Sequence, residues 1–297
     1  MTNTSSRAVV VTGTSSGIGR ASALLLARSG YTVFAGVRKI SDADALRNEA
    51  GDRLIPLQLD VTDHESVRAA AHTATDALRV RGEVLYALVN NAGIGVSGPL
   101  EFQPLEDIQR VFEINVVGQI AVTQAFLPLL REARGRIVNI CSIGDRIAIP
   151  FGGALNGSKS AFAMMSESLR MELRPWGIHV VIIDPGAITT PAVDKTLGDP
   201  DGMLKKMAPD AERLYGDLFR GFITRAAKRE HDGSPPEVVA ETVLSALREA
   251  NPRRRYLVGK GARVLATLPR ILPDALLDPL RMRIFGMPTR AGERARN

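Results

Sequence analysis

In this 297-residue chain the run Thr12-Gly13-Thr14-Ser15-Ser16-Gly17-Ile18-Gly19 is the first whose residue types point to chemistry. Its three glycines let a backbone turn tightly and come close to a ligand. A helix starting there offers free N–H groups and a positive dipole end, which suits a pyrophosphate. Gly13, Ser15, Ser16, Gly17, Ile18 and Gly19 form the candidate phosphate cradle. A plain strand-to-helix turn would use the same glycines, so the loop takes its meaning from the elements around it. Further on, Gly36-Val37-Arg38-Lys39 places an apolar residue and two cations at the end of an apolar run. A carboxylate there would repel a ribose 2′-phosphate, whereas the Arg38 guanidinium can hold one bidentately. The pattern favours NADP(H) over NAD(H), with a solvated basic turn as the bland alternative. His64, His72, His179 and His231 lack ligand spacing, so no metal is expected. Cys141, the single cysteine, reads as a buried strand-end residue.

The elements that must position these residues alternate as a parallel sheet covered by helices requires. Strands are expected at Ala8–Thr12, Thr32–Gly36, Leu54–Leu59, Val84–Val89, Arg136–Cys141, Ile178–Ile183 and Tyr256–Val258. Ile178–Ile183 is apolar apart from His179, as a strand buried on both faces should largely be. Helices are expected from the glycine loop to Arg28, from Asp63 to about Arg81, over Leu105–Leu130, over Ala154–Leu173 and over Pro235–Glu249. Pro175 and Gly177 end the Ala154 helix. The expected fold class is a doubly wound, Rossmann-type α/β single domain over 1–260. Residues 191–233 read as a mobile insertion above the strand ends, and 261–297 as a basic amphipathic extension.

Composition excludes several classes. The chain is 45% hydrophobic and 24% charged, ordinary for a globular protein. No secretory leader is read at Met1–Arg7, and apolar stretches look shorter than the ~20 residues of a membrane helix. A lone cysteine permits no intrachain disulfide, so a reducing, cytoplasmic setting is expected. The net charge of +6 is concentrated at the end: residues 251–297 carry 11 Lys/Arg against 3 Asp/Glu. A basic tail on a near-neutral body argues for a surface contact and against nucleic acid as a partner. Between Gly261 and Met287, Leu, Ile and Phe alternate with Arg263, Arg270, Arg281 and Arg283. Such a segment suits either a peripheral membrane contact or an ordinary helix pair packed on the core.

The glycine spacing, together with Asn90-Asn91-Ala92-Gly93, Asn115 and Pro185-Gly186-Ala187-Ile188-Thr189-Thr190, resembles the short-chain dehydrogenase/reductase family. The resemblance runs from about Arg7 to Ala192 and more weakly to Gly259. It implies that Asp60 and Val61 contact the adenine, that Asn91, Ala92 and Gly93 line the same groove, and that Pro185, Gly186 and Thr190 hold the nicotinamide end. It also implies a catalytic set of Asn115, Ser142 and Lys159, the lysine gripping the ribose as well. Similarity to retinol- and steroid-acting members implies a small lipophilic substrate, and the family habit implies a homo-oligomer packed through two long helices.

One position departs from the family. Its tyrosine, which protonates the carbonyl as hydride arrives, stands four residues before the lysine, and here that residue is Leu155. General acid catalysis is worth roughly 10²–10⁴-fold, and leucine has no proton to give. Tyr31 and Tyr86 lie at strand starts, Tyr256 near the last strand, and Tyr215 in the insertion, from which it could fold over a substrate. Ser142 backed by water, Asp145 and Ser158 are further polar alternatives. Three readings stay open: an oxidoreductase whose carbonyl, alcohol, imine or enone substrate needs little acid help; a dinucleotide-binding sensor or oligomer partner without turnover; and an enzyme altered at Leu155.

Overall fold

A computed structural model describes residues 6–288. The elements, in chain order, are β1 (Arg7–Thr12), α1 (Gly17–Arg28), β2 (Thr32–Val37), α2 (Ser41–Ala50), β3 (Leu54–Gln58), α3 (His64–Arg81) and β4 (Val84–Asn90). The middle comprises α4 (Leu105–Phe112), α5 (Gly118–Glu132), β5 (Arg136–Ile140), α6 (Gly153–Leu173) and β6 (His179–Pro185). There follow α7 (Pro191–Leu197), α8 (Pro200–Lys205), α9 (Pro209–His231), α10 (Glu237–Arg248), β7 (Arg255–Val258), α11 (Ala262–Ile271) and α12 (Asp274–Ile284).

All seven strands pair in parallel, in the order β3-β2-β1-β4-β5-β6-β7. Parallel strands need helical crossovers, which bury both sheet faces and explain the apolar strands. On one face Val9, Val11, Val89, Val138 and Val181 pack with α1 and α10 residues such as Leu26 and Val243. On the other, Val10, Leu88 and Ile137 meet Val67, Val122, Phe126 and Leu130 from α3 and α5. Local signals set the helix ends. The Asp63 carboxylate accepts from the Glu65 and Ser66 amides at 2.9 and 3.2 Å, a cap worth about 1 kcal/mol. Gly82, at φ +62°, closes α3 in the left-handed conformation.

Three expectations need correction. The long helix over Leu105–Leu130 is divided by a π-helical turn at Glu113–Val117, the turn that carries Asn115. The continuous stretch Leu105–Glu132 is, by length and composition, long and apolar enough to cross a membrane, contrary to the sequence reading. Val122, Phe126 and Leu130 on it are nevertheless wholly covered by the sheet and α3, so it is a core helix of this fold. Finally, residues 191–233 are not a loose insertion. α7, α8 and α9 form a cap with a core of its own, in which Phe151, Leu204, Phe219, Phe222 and Phe285 are buried. The extension from residue 261 packs through Ala262, Ala266, Leu277 and Phe285, while Val264, Ile271 and Leu276 stay exposed. Its last part, 289–297, lies outside the described residues, as do residues 1–5.

Candidate active site

The strand order reverses between β1 and β4, which run to opposite sides of the sheet, and a crevice opens beyond their C-terminal ends. The glycine loop lies at that point. Gly13 and Gly17 have φ of +68° and +56°, and a Cβ on Gly13 would stand 2.8 Å from the Ala92 Cα. A Cβ on Gly19 would overlap the Gly13 carbonyl, and one on Gly17 would press on Thr190 at 3.2 Å. These positions must therefore be glycine for the loop to nest between β4 and the loop after β6. Thr12 Oγ1 accepts from the Asn91 and Ala92 amides, both at 2.9 Å, and Asn91 Nδ2 donates to the Thr12 and Gly13 carbonyls. Thr14 binds the Gly36 carbonyl, tying the loop to the end of β2 as well. Ser16 precedes α1 in extended conformation and makes no side-chain cap, so the first amides of α1 are left to a ligand. A pyrophosphate fits this cradle by its open N–H groups and missing side chains.

Around it, Val37 is buried whereas Arg38 and Lys39 are exposed at the end of β2, and neither is held in an ion pair among the described residues. Asp60 Oδ1 accepts from the amide and hydroxyl of Thr62, fixing the turn after β3, and Val61 beside it is buried. Pro185 closes β6, Gly186 donates to the Val258 carbonyl, and Thr190 precedes α7.

Of the expected catalytic residues, Asn115 and Lys159 come together beyond β4, and Ser142 heads the turn after β5. Asn115 is fully buried; its Oδ1 accepts from the Ile94 amide and its Nδ2 donates to the Ile94 carbonyl and to Ser158 Oγ. Its side chain is thus a strut between the Gly93–Ile94 turn and α6, and Ser158 is committed to that strut. A Cβ on Gly93 would lie 3.1 Å from Asn115 Oδ1 and 3.5 Å from Lys159 Nζ, so three of the expected residues meet at one spot. Lys159 Nζ donates to the Ile140 carbonyl at 2.9 Å. Burial lowers its pKa from the ordinary lysine value, against the attraction of Cys141, Asp145 and Asp184. Ser142 is half-buried, and its Oγ accepts from the Gly144 amide at 3.1 Å at the head of the Ile143–Asp145 turn.

Leu155 lies one helical turn before Lys159 on the same face of α6. It is half-buried. Its Cδ2 and the Thr196 side chain of α7 both come within 3.3 Å of the place a Cβ on Gly95 would take. α7 thus brings the Thr196 side chain beside Leu155 at Gly95. Tyr215 does not reach it: its hydroxyl donates to Glu101 at 2.7 Å and its ring packs edge-on against Phe102 and Phe151 within the cap. Asp145 is no free acid either. With Asp184, Arg255 and Arg146 it forms a buried ion cluster beside the Ser142 turn. Burial and the neighbouring Asp145 push the Asp184 carboxyl up to about 7, against Arg255.

Sequence reasoning missed this cluster and Thr196. Asp184 did carry a signal, being a lone charge closing an apolar strand. Arg255 and Thr196 carried none.

The short chain dehydrogenase family profile matches residues 7–200. The chain belongs to that family. This member of the short chain dehydrogenases, which are oxidoreductases, is 34% identical over 284 residues to dehydrogenase/reductase SDR family member 9 of Bos taurus, covering 93% of this chain and 88% of that one. It is 35% identical over 291 residues to retinol dehydrogenase 5 of Mus musculus (95% and 90% covered). It is 33% identical over 286 residues to estradiol 17-beta-dehydrogenase 2 of Mus musculus (92% and 73%). Among solved structures, a short-chain dehydrogenase of Streptomyces avermitilis superposes with TM-score 0.72 at 29% identity, covering 94% of this chain and 96% of that one. A short chain dehydrogenase of Burkholderia cenocepacia, solved in complex with NADP, gives TM-score 0.70 at 27% identity (94% and 99%). One from Burkholderia phymatum in complex with NAD gives 0.69 at 25% identity (86% and 89%). The expected family and the doubly wound fold are both shown.

Proposed function

We propose that this chain binds a nicotinamide dinucleotide, NADP(H) in preference to NAD(H), and moves hydride between it and a lipophilic carbonyl or alcohol, or an imine or enone. The observation that supports the reading is the nested glycine loop at the β1/β4 crevice, with Asn115 and Lys159 meeting beside Gly93. The bound nicotinamide supplies or accepts the hydride. The chain's own part is positioning. α1 presents amides to the pyrophosphate, Lys159 holds the ribose hydroxyls, and Ser142 Oγ donates to the oxygen of the reacting carbonyl. Leu155 gives that oxygen no proton, so the proton comes from solvent through Ser142. Substrates already polarised, such as iminium ions or conjugated acceptors, need this help least. The names of the retinol and estradiol relatives support a lipophilic substrate. Following reduced-cofactor absorbance against a panel of ketones, imines and enones tests the reading; no turnover on any class overturns it in favour of binding without chemistry.

Cofactor preference rests on Arg38. A charge-assisted pair to a 2′-phosphate contributes about 1.5–3 kcal/mol. Arg38→Ala is expected to weaken NADPH roughly ten- to a hundredfold while leaving NADH nearly unchanged. Tighter NADH than NADPH binding by the unmodified protein in calorimetric titration would remove the assignment.

Two contacts complete the proposal. A second copy would cover the exposed apolar residues Val117, on the π-helical turn before α5, and Met164 and Met171 on α6. The C-terminal helices, exposing Val264, Ile271 and Leu276 beside Arg263 and Arg270, would rest on an anionic bilayer. Liposomes containing anionic lipid are expected to float the full chain but not a form ending at Gly261; equal, negligible flotation of both discards the bilayer.

A further inference from the structure

The buried ion cluster stands at a junction of the site. Asp145 belongs to the turn headed by Ser142, and its amide donates to the Ser142 carbonyl at 2.9 Å. Asp184 is the last residue of β6 before Pro185 and Gly186, where the loop to Thr190 begins. Arg255, the first residue of β7, reaches both with one nitrogen: Nη1 donates to Asp145 Oδ2 and, at 2.6 Å, to Asp184 Oδ2. Its Nη2 stands 3.7 Å from Glu167 of α6. The Asp145 and Asp184 side chains are essentially sealed, with 1% and 0% exposure. Once Arg255 is lost the two carboxylates are left without their shared donor in a low-dielectric interior, so at least one must take up a proton or the segments that carry them must shift.

We infer that Arg255 is a positioning residue: its guanidinium clamps the Ser142 turn to the end of β6 and thereby sets the spacing between the Ser142 hydroxyl and the Gly186–Thr190 loop. The clamp's consequence for catalysis rests on the function proposed above; the clamp itself does not. Arg146 takes a smaller share: its Nε stands 3.6 Å from Asp145 and 3.9 Å from Asp184, in ion-pair range but beyond a hydrogen bond. Lys159 donates instead to the Ile140 carbonyl.

The geometry offers a direct test, because a surface depression of roughly 280 Å³ lined by Asp145, Arg146, Glu167 and Arg255 opens onto the cluster. A guanidinium ion can enter it once the Arg255 side chain is removed. In the ligand-free protein, Arg255→Ala is expected to speed amide exchange on the order of a hundredfold in both 143–147 and 186–190, with α3 unaffected. Millimolar guanidinium should restore slow exchange, and tetramethylammonium at the same concentration should not. Asp145→Asn should loosen 143–147 alone, and Asp184→Asn chiefly 186–190. Should Arg255→Ala fail to fold, Arg255→Gln, which keeps most of the stem but carries no charge, is expected to loosen both segments about tenfold. Loosening confined to β7 and α11, uniform loosening, no change, or equal rescue by the two cations would each overturn the clamp. NADPH affinity measured beside these experiments separates the two ideas: a wild-type protein that does not bind NADPH refutes the proposed function, while the exchange pattern still decides the clamp.

Discussion

Leu155→Tyr is expected to raise ketone reduction or alcohol oxidation by about 10²–10⁴-fold on a suitable lipophilic substrate. The substitution restores a phenol one turn from Lys159, whose buried ammonium favours the phenolate and so lowers the phenol's pKa toward the working range. Thr196 and Leu155 already crowd the space beside Gly95, so the larger ring requires the Thr196 side chain to give way. The rate of the variant should fall into a pH dependence that the Leu155 protein lacks, because only the variant has a group at that position to titrate. NADPH affinity should change less than about tenfold, since the contacts assigned to it lie in the glycine loop, Arg38 and Lys159. Steady-state kinetics across pH with matched calorimetry would check both halves. Fast ketone reduction by the unmodified chain that survives Ser142→Ala would show the catalytic assignment to be wrong. A tyrosine that brings no gain on any substrate would favour dinucleotide binding without turnover.

Phe219→Ala should cost about 3–5 kcal/mol, with the loss concentrated in the cap rather than the sheet. Phe219 is fully buried, and its ring meets Phe151 edge-on at 5.2 Å in a cluster continued by Phe222 and Phe285. None of the strands contributes to that cluster, so the cavity would open between α9 and the Phe151 loop. Proteolysis under native conditions is expected to rise by roughly two to three orders of magnitude within 200–231, while the denaturant midpoint of the sheet shifts little. Phe219→Leu keeps more of the volume and should recover over half of the loss. Equal destabilisation of cap and sheet would mean that the two unfold as one unit.

The inner strands were legible because parallel strands buried on both faces must be largely apolar, as Val9–Val11 and Val180–Ile183 are. The glycine loop was legible because the need for glycine is local: a single Cβ at Gly13 or Gly19 meets neighbouring backbone. α2 escaped notice, being short and largely exposed, with Leu46 its one large apolar side chain. The cap was misread because its helices bury their faces against one another instead of on the sheet. Its starts were nonetheless written in Pro191, Pro200 and Pro209, each in the first turn of a helix, where a missing N–H does no harm. What sequence spacing could not show was the meeting of Arg255 with Asp184 and Asp145, 71 and 110 residues away along the chain. Such pairs are set by strand neighbours, and β7 is placed beside β6 only by the finished sheet.

Cys141 offers a different kind of handle. It follows β5, its amide bonds to the Ile183 carbonyl, and it packs among Val116, Phe162 and Ile182. Burial pushes its thiol up to about 12. A sulfhydryl so enclosed is protonated and out of reach at neutral pH, so mild oxidants and alkylating agents in an assay leave the folded protein alone. It is also the only thiol in the chain. Each molecule that reacts with a thiol dye has therefore opened its sheet at least once, and the time course of colour is a clock for how long the native state lasts.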